Sequence, residues 1–378
     1  MKQTLVAACA VLVGVGSATA QQTGAFVVRL GVDTLAVEQY TRTLSQLRGE
    51  QVIRAPRTAH RIYTVRYGPN GVATHFELVT HNIGGDDGPV ETRSTAEFTP
   101  TTVTMPRQRG DSSTTATVAI SGPAAPFAIN VYALIEDVIR QARATGGDRF
   151  EMPIFSLGDS EAENATVRTT GPDSLVATFG AIGPFRIWTD AQGTLRGLSG
   201  IGGALQVTVE RVPALDIAAF GPAFASRPLG TLSPPDSVMA RIGAADLAIR
   251  YSRPSARGRK IFGAVVPWDR VWRTGANAAT TFETSADLLV GGITVPAGRY
   301  SLYTVPSQSG WMLIFNSKTP PSGSQYDVQY DVARIAMHTT TLPEMVEQFT
   351  MAIEPSGSGG TLSLAWEQTR AWVSFAVK

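Results

Sequence analysis

The chain has 378 residues and a formal net charge of +1, so no electrostatic field favours binding to nucleic acid or to an anionic membrane. Charged residues make up only 17% of it, below the roughly 25% of a typical soluble domain. The 37 glycines and 23 prolines predict many turns between short strands, as in β-sandwiches and barrels.

The first twenty residues have the three parts of a cleavable signal peptide. Lys2 supplies a positive charge, residues 5–15 are apolar, and Ala18-Thr19-Ala20 forms a small-residue cleavage site. The apolar stretch is shorter than the roughly 20 residues that span a bilayer, and no later stretch is long enough. We therefore expect an exported protein, periplasmic or extracellular, with no transmembrane segment.

Val6-Ala7-Ala8-Cys9 resembles a lipoprotein box, in which the cysteine would be lipidated. Cys9, however, lies in the middle of the apolar stretch with almost no hydrophobic sequence before it, which favours ordinary cleavage after Ala20. Cys9 is the only cysteine of the chain, so this cleavage would remove it. The mature protein would then have no disulfide, thiolate nucleophile or cysteine-ligated metal.

Alternating apolar and polar residues recur from residue 21 to residue 224 and predict a first domain of antiparallel strands. Residues 60–67 and 72–80 alternate on either side of Gly68-Pro69-Asn70-Gly71, so they predict a hairpin. Residues 126–145 instead have apolar side chains spaced by three and four, which predicts one amphipathic helix. A curved antiparallel sheet or half-barrel with one helix resembles the architecture of periplasmic lipid-carrier proteins.

A proline-rich stretch, residues 225–236, predicts a semi-stiff linker after the first domain. Residues 237–378 then show many short strands joined by glycine and proline turns, with scarcely a helical pattern. We expect this second domain to be a β-sandwich. The predicted fold class is therefore mainly β in both domains.

Several motifs follow one another in the second domain. They are Tyr251-Ser252-Arg253-Pro254-Ser255, Gly258-Arg259-Lys260-Ile261-Phe262-Gly263, Val266-Pro267-Trp268, Val271-Trp272-Arg273-Thr274-Gly275-Ala276-Asn277, Pro296-Ala297-Gly298-Arg299-Tyr300-Ser301-Leu302 and Trp311-Met312-Leu313-Ile314-Phe315-Asn316. Together they resemble the secreted bacterial family known as domain of unknown function 2911. The resemblance implies an exported, β-rich architecture and no established activity. Ala278 stands where this family usually has an acidic residue, so no carboxylate role is carried over to that position.

Basic residues are concentrated between residues 251 and 277, where Asp269 is the only carboxylate. Arginine grips carboxylate or phosphate with paired donors, so strand pairing that brings the basic side chains together would form an anion pocket. The predicted ligand-binding residues are Arg253, Arg273, Asn277, Tyr251, Trp272 and Lys260. The alternative is a solvated basic loop that pairs with Glu283 or Asp287 on a neighbouring strand.

The familiar catalytic and metal-binding motifs are missing from the sequence. His60, His75 and Glu77 fall on the predicted hairpin, so pairing across its turn could form a His-His-Glu metal site. Histidines that face solvent on a strand explain the same pattern better, and we expect neither a metal nor a cofactor.

Two functions follow from these patterns. The first is a non-catalytic envelope protein that binds a small, lipidic or anionic ligand, or an envelope component. The alternative is a periplasmic hydrolase that uses His75 and Glu77, or the group Arg253, Arg273 and Asn277 as an oxyanion clamp.

Overall fold

A computed structural model describes residues 21–83, 91–109, 112–202, 206–318 and 326–378. Over these residues the protein is mainly β, as predicted: a 15-stranded mixed sheet with two helices precedes a nine-stranded antiparallel sheet, and neither sheet is closed. The predicted signal peptide, including Cys9, lies outside the described residues. Among the residues that are described, no helix is both long enough and apolar enough to cross a membrane.

The first sheet contains all the strands up to residue 212, and its two helices follow strands nine and fifteen. The elements are β1 Gln22–Leu30, β2 Asp33–Arg42, β3 Gln46–Ile53, β4 Ala59–Tyr67, β5 Ala73–Asn82, β6 Glu91–Phe98, β7 Thr102–Arg109, β8 Ser112–Ala119, β9 Ala125–Phe127, α1 Tyr132–Thr145, β10 Arg149–Ser156, β11 Glu163–Gly171, β12 Ser174–Phe179, β13 Ile182–Thr189, β14 Leu195–Gly200, β15 Val207–Val212 and α2 Ile217–Ala225.

Two meanders make up this sheet. Strands β1 to β8 run outward in chain order on one side, strands β15 to β9 run outward on the other, and β1 pairs with β15 between them. Every pair is antiparallel except β9 with β10, which is parallel. The predicted hairpin is confirmed as β4–β5, in which Arg66 lies opposite His75.

Helix α1 begins at Tyr132, and not at residue 126 as the apolar spacing predicts. Ala125–Phe127 pairs with β10 instead, which uses its backbone groups in the sheet. The first turn of α1 is capped from the sheet, because the Glu38 carboxylate accepts the backbone N–H groups of Tyr132 at 2.8 Å and Ala133 at 3.0 Å. The helix start is therefore decided by a residue almost a hundred positions away.

Both faces of α1 are buried. Its apolar side chains join the core cluster of the first sheet, and its polar face meets the inner face of β2 and β15. Glu136 is 0% exposed, and it accepts from the Tyr40 hydroxyl at 2.6 Å, from the Leu195 N–H at 2.9 Å and from Arg211. Asp137 pairs in the same layer with Arg42. The charges of α1 therefore tie the helix into the sheet.

The second sheet contains the remaining strands. They are β16 Pro235–Ile242, β17 Ala245–Ser252, β18 Thr280–Thr284, β19 Leu288–Val290, β20 Ile293–Val295, β21 Gly298–Val305, β22 Trp311–Asn316, β23 Asp331–Ser356 and β24 Gly359–Val377. Their order in the sheet is β16-β17-β18-β21-β22-β23-β24-β19-β20. Because β23 and β24 are long, the sheet turns back on itself, and β16 packs against both of them. A second apolar cluster fills the space between the layers, as in a sandwich.

The two sheets touch where the β1–β2 turn meets the loop after β17. The Val32 N–H donates to the Arg257 carbonyl at 2.9 Å, and the Arg257 guanidinium pairs with Asp33 at 2.5 Å. Gly31 is required here, since it has a φ of +62° and a Cβ would lie 1.9 Å from the Arg257 oxygen. This contact places the basic loop of the second sheet beside the first sheet.

Candidate functional site

A cavity of about 460 Å³ lies between the two sheets, and we call it the cleft cavity. The first sheet, the segment between the sheets and the loop between β17 and β18 all contribute to it. Its lining residues are Leu30, Leu35, Ala55, Pro56, Asn130, Thr231, Leu232, Ser233, Pro254, Ser255, Arg257, Arg259, Arg273, Ala276 and Asn277.

The loop Trp272–Asn277 holds one side of the cleft cavity in an uncommon backbone conformation. Thr274 has a φ of +54° and Asn277 a φ of +58°. A left-handed conformation is rare for a β-branched residue such as threonine, and it persists only where the surroundings impose it. Thr274 is fully buried, and its carbonyl accepts from the Thr280 hydroxyl at 2.6 Å. The loop is therefore rigidly built from the second sheet.

A cluster of aromatic side chains from the second sheet packs against the same loop. The Trp272 ring lies 5.1 Å from Phe349 and 6.0 Å from Trp366, measured between ring centroids. Its indole N–H donates to the Gly275 carbonyl at 3.1 Å. Trp272 is therefore a structural residue that shapes the loop, and its apolar surface is used in packing.

Each of the three arginines of the cleft cavity is held by a neighbour. Arg257 pairs with Asp33, which lies outside the lining of the cavity. Arg259 donates to the carbonyls of Ala256 at 3.0 Å and Ser255 at 2.8 Å, and Arg273 donates to the Asn277 carbonyl at 2.6 Å. These contacts orient the three guanidinium groups, and Arg257 also shares its charge with the Asp33 carboxylate.

The charges at the site favour an anion. Burial lowers the pKa of the Arg259 guanidinium, the neighbouring Arg257 charge lowers it further, and the Glu347 carboxylate offsets a part of this. Burial also lowers the pKa of Arg273. The residues described as lining the cavity include no aspartate and no glutamate. A bound oxyanion would therefore relieve the desolvation and repulsion that these arginines carry.

Of the six predicted ligand-binding residues, Arg273 and Asn277 line the cleft cavity. Arg253 is used in the fold: it pairs with Asp236 at 3.1 Å and donates to the Phe349 carbonyl at 3.1 Å. Tyr251 donates to the same Asp236 at 3.2 Å, and Lys260 is exposed outside the lining.

Glu283 and Asp287, the alternative partners of the basic loop, bind other groups in the structure. Glu283 pairs with Arg250 at 2.9 Å and with Arg299 at 3.4 Å, all within the second sheet. Asp287 accepts the Ala297 N–H at 2.8 Å in a turn. Neither carboxylate therefore compensates the arginines of the cleft cavity.

The sequence did not single out Arg257 and Arg259 above the other basic residues of the loop. It also provided no sign that Leu30, Leu35 and Asn130 of the first domain would face them. The cluster of basic residues was the only signal in the sequence. It identified the basic loop but not the residues of the first sheet that face it.

The register of the hairpin separates the three residues of the possible metal site. His60 lies opposite His81, six positions along β5 from His75, which is about 20 Å in an extended strand. His75 pairs with Glu97 at 2.6 Å, and Glu77 pairs with Arg93. No group of three metal-ligating side chains occurs among the described residues. Strand pairing therefore holds His60 too far from His75 and Glu77 for the three side chains to share a metal ion.

The fourth histidine, His338, stacks on Trp372 across the β23–β24 pair, with 4.4 Å between ring centroids.

Comparisons with known proteins identify part of the chain. Residues 233–375 match the model of a family described as a protein of unknown function, DUF2911. The second sheet is therefore a DUF2911 domain, as the motifs predict, whereas no family model matches the first sheet. No curated protein matches the chain.

Two solved structures with low similarity also match. A DUF1089 family protein from Pseudomonas aeruginosa has 11% identity and a TM-score of 0.33, over 44% of this chain and 90% of that one. A β-barrel-like protein of domain of unknown function DUF1849 from Brucella abortus has 12% identity and a TM-score of 0.33, over 51% of this chain and 94% of that one.

Proposed function

We propose that the protein is a non-catalytic binding protein that holds a small anionic ligand in the cleft cavity. The observation that carries this proposal is the lining itself, in which Arg257, Arg259 and Arg273 meet with no carboxylate among the described lining residues. Guanidinium groups bind carboxylate and phosphate with paired, charge-assisted hydrogen bonds. A pocket with few convergent polar groups on a rigid support is typical of a ligand site.

The same lining supports binding without catalysis. Arginine stays protonated in proteins, so it cannot accept a proton from a nucleophile. Ser233 and Ser255 would need a general base, and the described lining residues include no histidine, aspartate, glutamate or tyrosine. His75 and Glu77, the residues of the hydrolase alternative, are occupied by Glu97 and Arg93 on the first sheet.

Calorimetric titration of the full chain with inorganic phosphate and with hexanoate tests this proposal. We expect Arg273→Gln to weaken binding roughly tenfold to a hundredfold, because a charge-assisted hydrogen bond is lost. The matched control is Arg299→Gln, since this arginine is 61% exposed and lies on β21 outside the cleft cavity. If neither anion binds, or if both variants bind like the unmodified protein, the proposal is wrong.

We further propose that the protein acts in the periplasm or outside the cell. The support is the signal-peptide pattern of residues 1–20. N-terminal sequencing of the protein recovered from its cell envelope tests this: a start at Gln21 is expected, and a lipidated Cys9 or an uncleaved Met1 would contradict it.

A further inference from the structure

The cleft cavity has a second wall of opposite character, formed mainly by the first sheet. Leu30 is 2% and Leu35 is 3% exposed, and both belong to the apolar core of that sheet. Ala55 and Pro56 extend this wall. Leu232, from the segment between the sheets, packs against the same core and closes the apolar end.

The cationic wall is built independently, from the DUF2911 domain. Arg257, Arg259 and Arg273 all belong to the loops after β17, and Asn277 follows on the same loop. One cavity thus has a polar, positively charged wall from one sheet and an apolar wall from the other. A cavity with one cationic wall and one apolar wall fits a ligand that has one anionic end and one apolar end.

The size of the cleft cavity points to the same kind of ligand. Its volume of about 460 Å³ far exceeds the share of a single water in the liquid, which is about 30 Å³. An inorganic anion at the arginines would leave the exposed surface of Pro56 and Leu232 hydrated. A hydrocarbon group against these two side chains would release that water, which is favourable.

We infer that the ligand is an amphiphilic oxyanion: a carboxylate or phosphate monoester that carries a short hydrocarbon chain. The oxyanion head binds Arg257, Arg259 and Arg273, and the chain lies along Pro56 and Leu232. This inference rests on the proposed anion-binding function and names the class of ligand for that site. A carboxylate and a phosphate both present oxygens to guanidinium donors, so the cavity specifies a negatively charged head and an apolar chain for either head group.

Titration of the full chain with two homologous series tests the inference. One series is acetate, butyrate and hexanoate, and the other is methyl, butyl and hexyl phosphate, with inorganic phosphate as the reference. We expect Kd to fall about fourfold for each methylene that is buried, in both series or in the one whose head group fits. The series that binds more tightly identifies the head group.

The variant Leu232→Ser places a hydroxyl on the apolar wall, so it should flatten the dependence of Kd on chain length. The matched control is Leu289→Ser, because Leu289 is 39% exposed on β19 and does not line the cleft cavity.

The outcomes separate this inference from the proposed function. If the anions bind in an Arg273-dependent way but Kd does not change with chain length in the unmodified protein, the amphiphile inference is overturned and anion binding stands. If no anion of either series binds, the proposed function fails, and the inference fails with it. Because the chain-length series is measured on the unmodified protein, the result does not depend on the folding of Leu232→Ser.

Discussion

Asp33 of the first sheet and Arg257 of the second form an ion pair across the junction, with 2.5 Å between Oδ2 and Nη1. The Asp33 carboxylate also lies 3.9 Å from Arg54. It therefore neutralises part of the charge of one cleft arginine from behind, without lining the cleft cavity itself.

Replacing Asp33 should strengthen anion binding. In Asp33→Asn the Arg257 guanidinium no longer shares its charge with a carboxylate, so the attraction for an anion increases. We expect Kd for hexanoate to fall by roughly two- to fivefold, which corresponds to the modest energy of a partly exposed ion pair. Calorimetric titration at low salt measures the change.

Asp246→Asn is the control for this prediction, because Asp246 pairs with Arg241 on the exposed surface of the second sheet. It should leave Kd unchanged. Weaker binding by Asp33→Asn would show that the ion pair serves mainly to align the two sheets.

The stability of the first sheet should depend on the ionisation of Glu38. Burial raises the pKa of this carboxyl to about 7, although the N–H groups of Tyr132 and Ala133 and the Tyr63 hydroxyl all bind it. The folded state thus holds the proton more tightly than the unfolded state, in which the pKa is about 4.5. Unfolding then becomes easier as the pH rises from about 4.5 to 7, by about 3 kcal/mol in all.

Urea unfolding of the unmodified protein and of Glu38→Gln at several pH values isolates this contribution. The free energy of unfolding of the unmodified protein should decline relative to that of Glu38→Gln across the interval from about 4.5 to 7. A difference that stays constant with pH would contradict the burial of an ionisable Glu38.

The Tyr63 ring lies directly over Gly49 on the neighbouring strand. A Cβ at Gly49 would lie 2.1 Å from the Tyr63 hydroxyl oxygen, which donates to Glu38 at 2.7 Å. Gly49→Ala should therefore displace the tyrosine and lower the free energy of unfolding by about 1–3 kcal/mol. In the control Gly122→Ala, no atom lies within 4 Å of the new Cβ, so the change should stay within about 0.5 kcal/mol. Equal effects in the two variants would contradict the close packing of Tyr63.

The buried ion pairs of α1 should matter more than an exposed pair of the same type. Glu136→Gln leaves Arg211 buried beside a neutral amide, and we expect a loss of about 3–5 kcal/mol in the free energy of unfolding. Glu151→Gln removes the exposed pair with Arg149, where a much smaller loss is expected because solvent screens the two charges. Comparable losses in urea unfolding would show that the Glu136 network contributes little.

Local patterns predicted much of the fold, because strand alternation and helical spacing depend on neighbouring residues. The β4–β5 hairpin and the end of α1 near residue 145 follow from such patterns. The start of α1 does not, since Glu38 caps it from a distant strand. His338 likewise acquires its partner Trp372 only through the pairing of β23 with β24.

For the candidate site, the sequence by itself determined which loop is basic, that Arg273 and Asn277 belong to it, and which family the second domain resembles. Only the tertiary structure decided which arginines share one cavity, that Arg253 is used by Asp236, and that Leu30 and Leu35 form the opposite wall. The physical reason is that charge and side-chain size are properties of each residue. Which side chains surround a guanidinium group depends instead on how the two sheets pack against each other. Gly31, Asp33 and Arg257 form that contact.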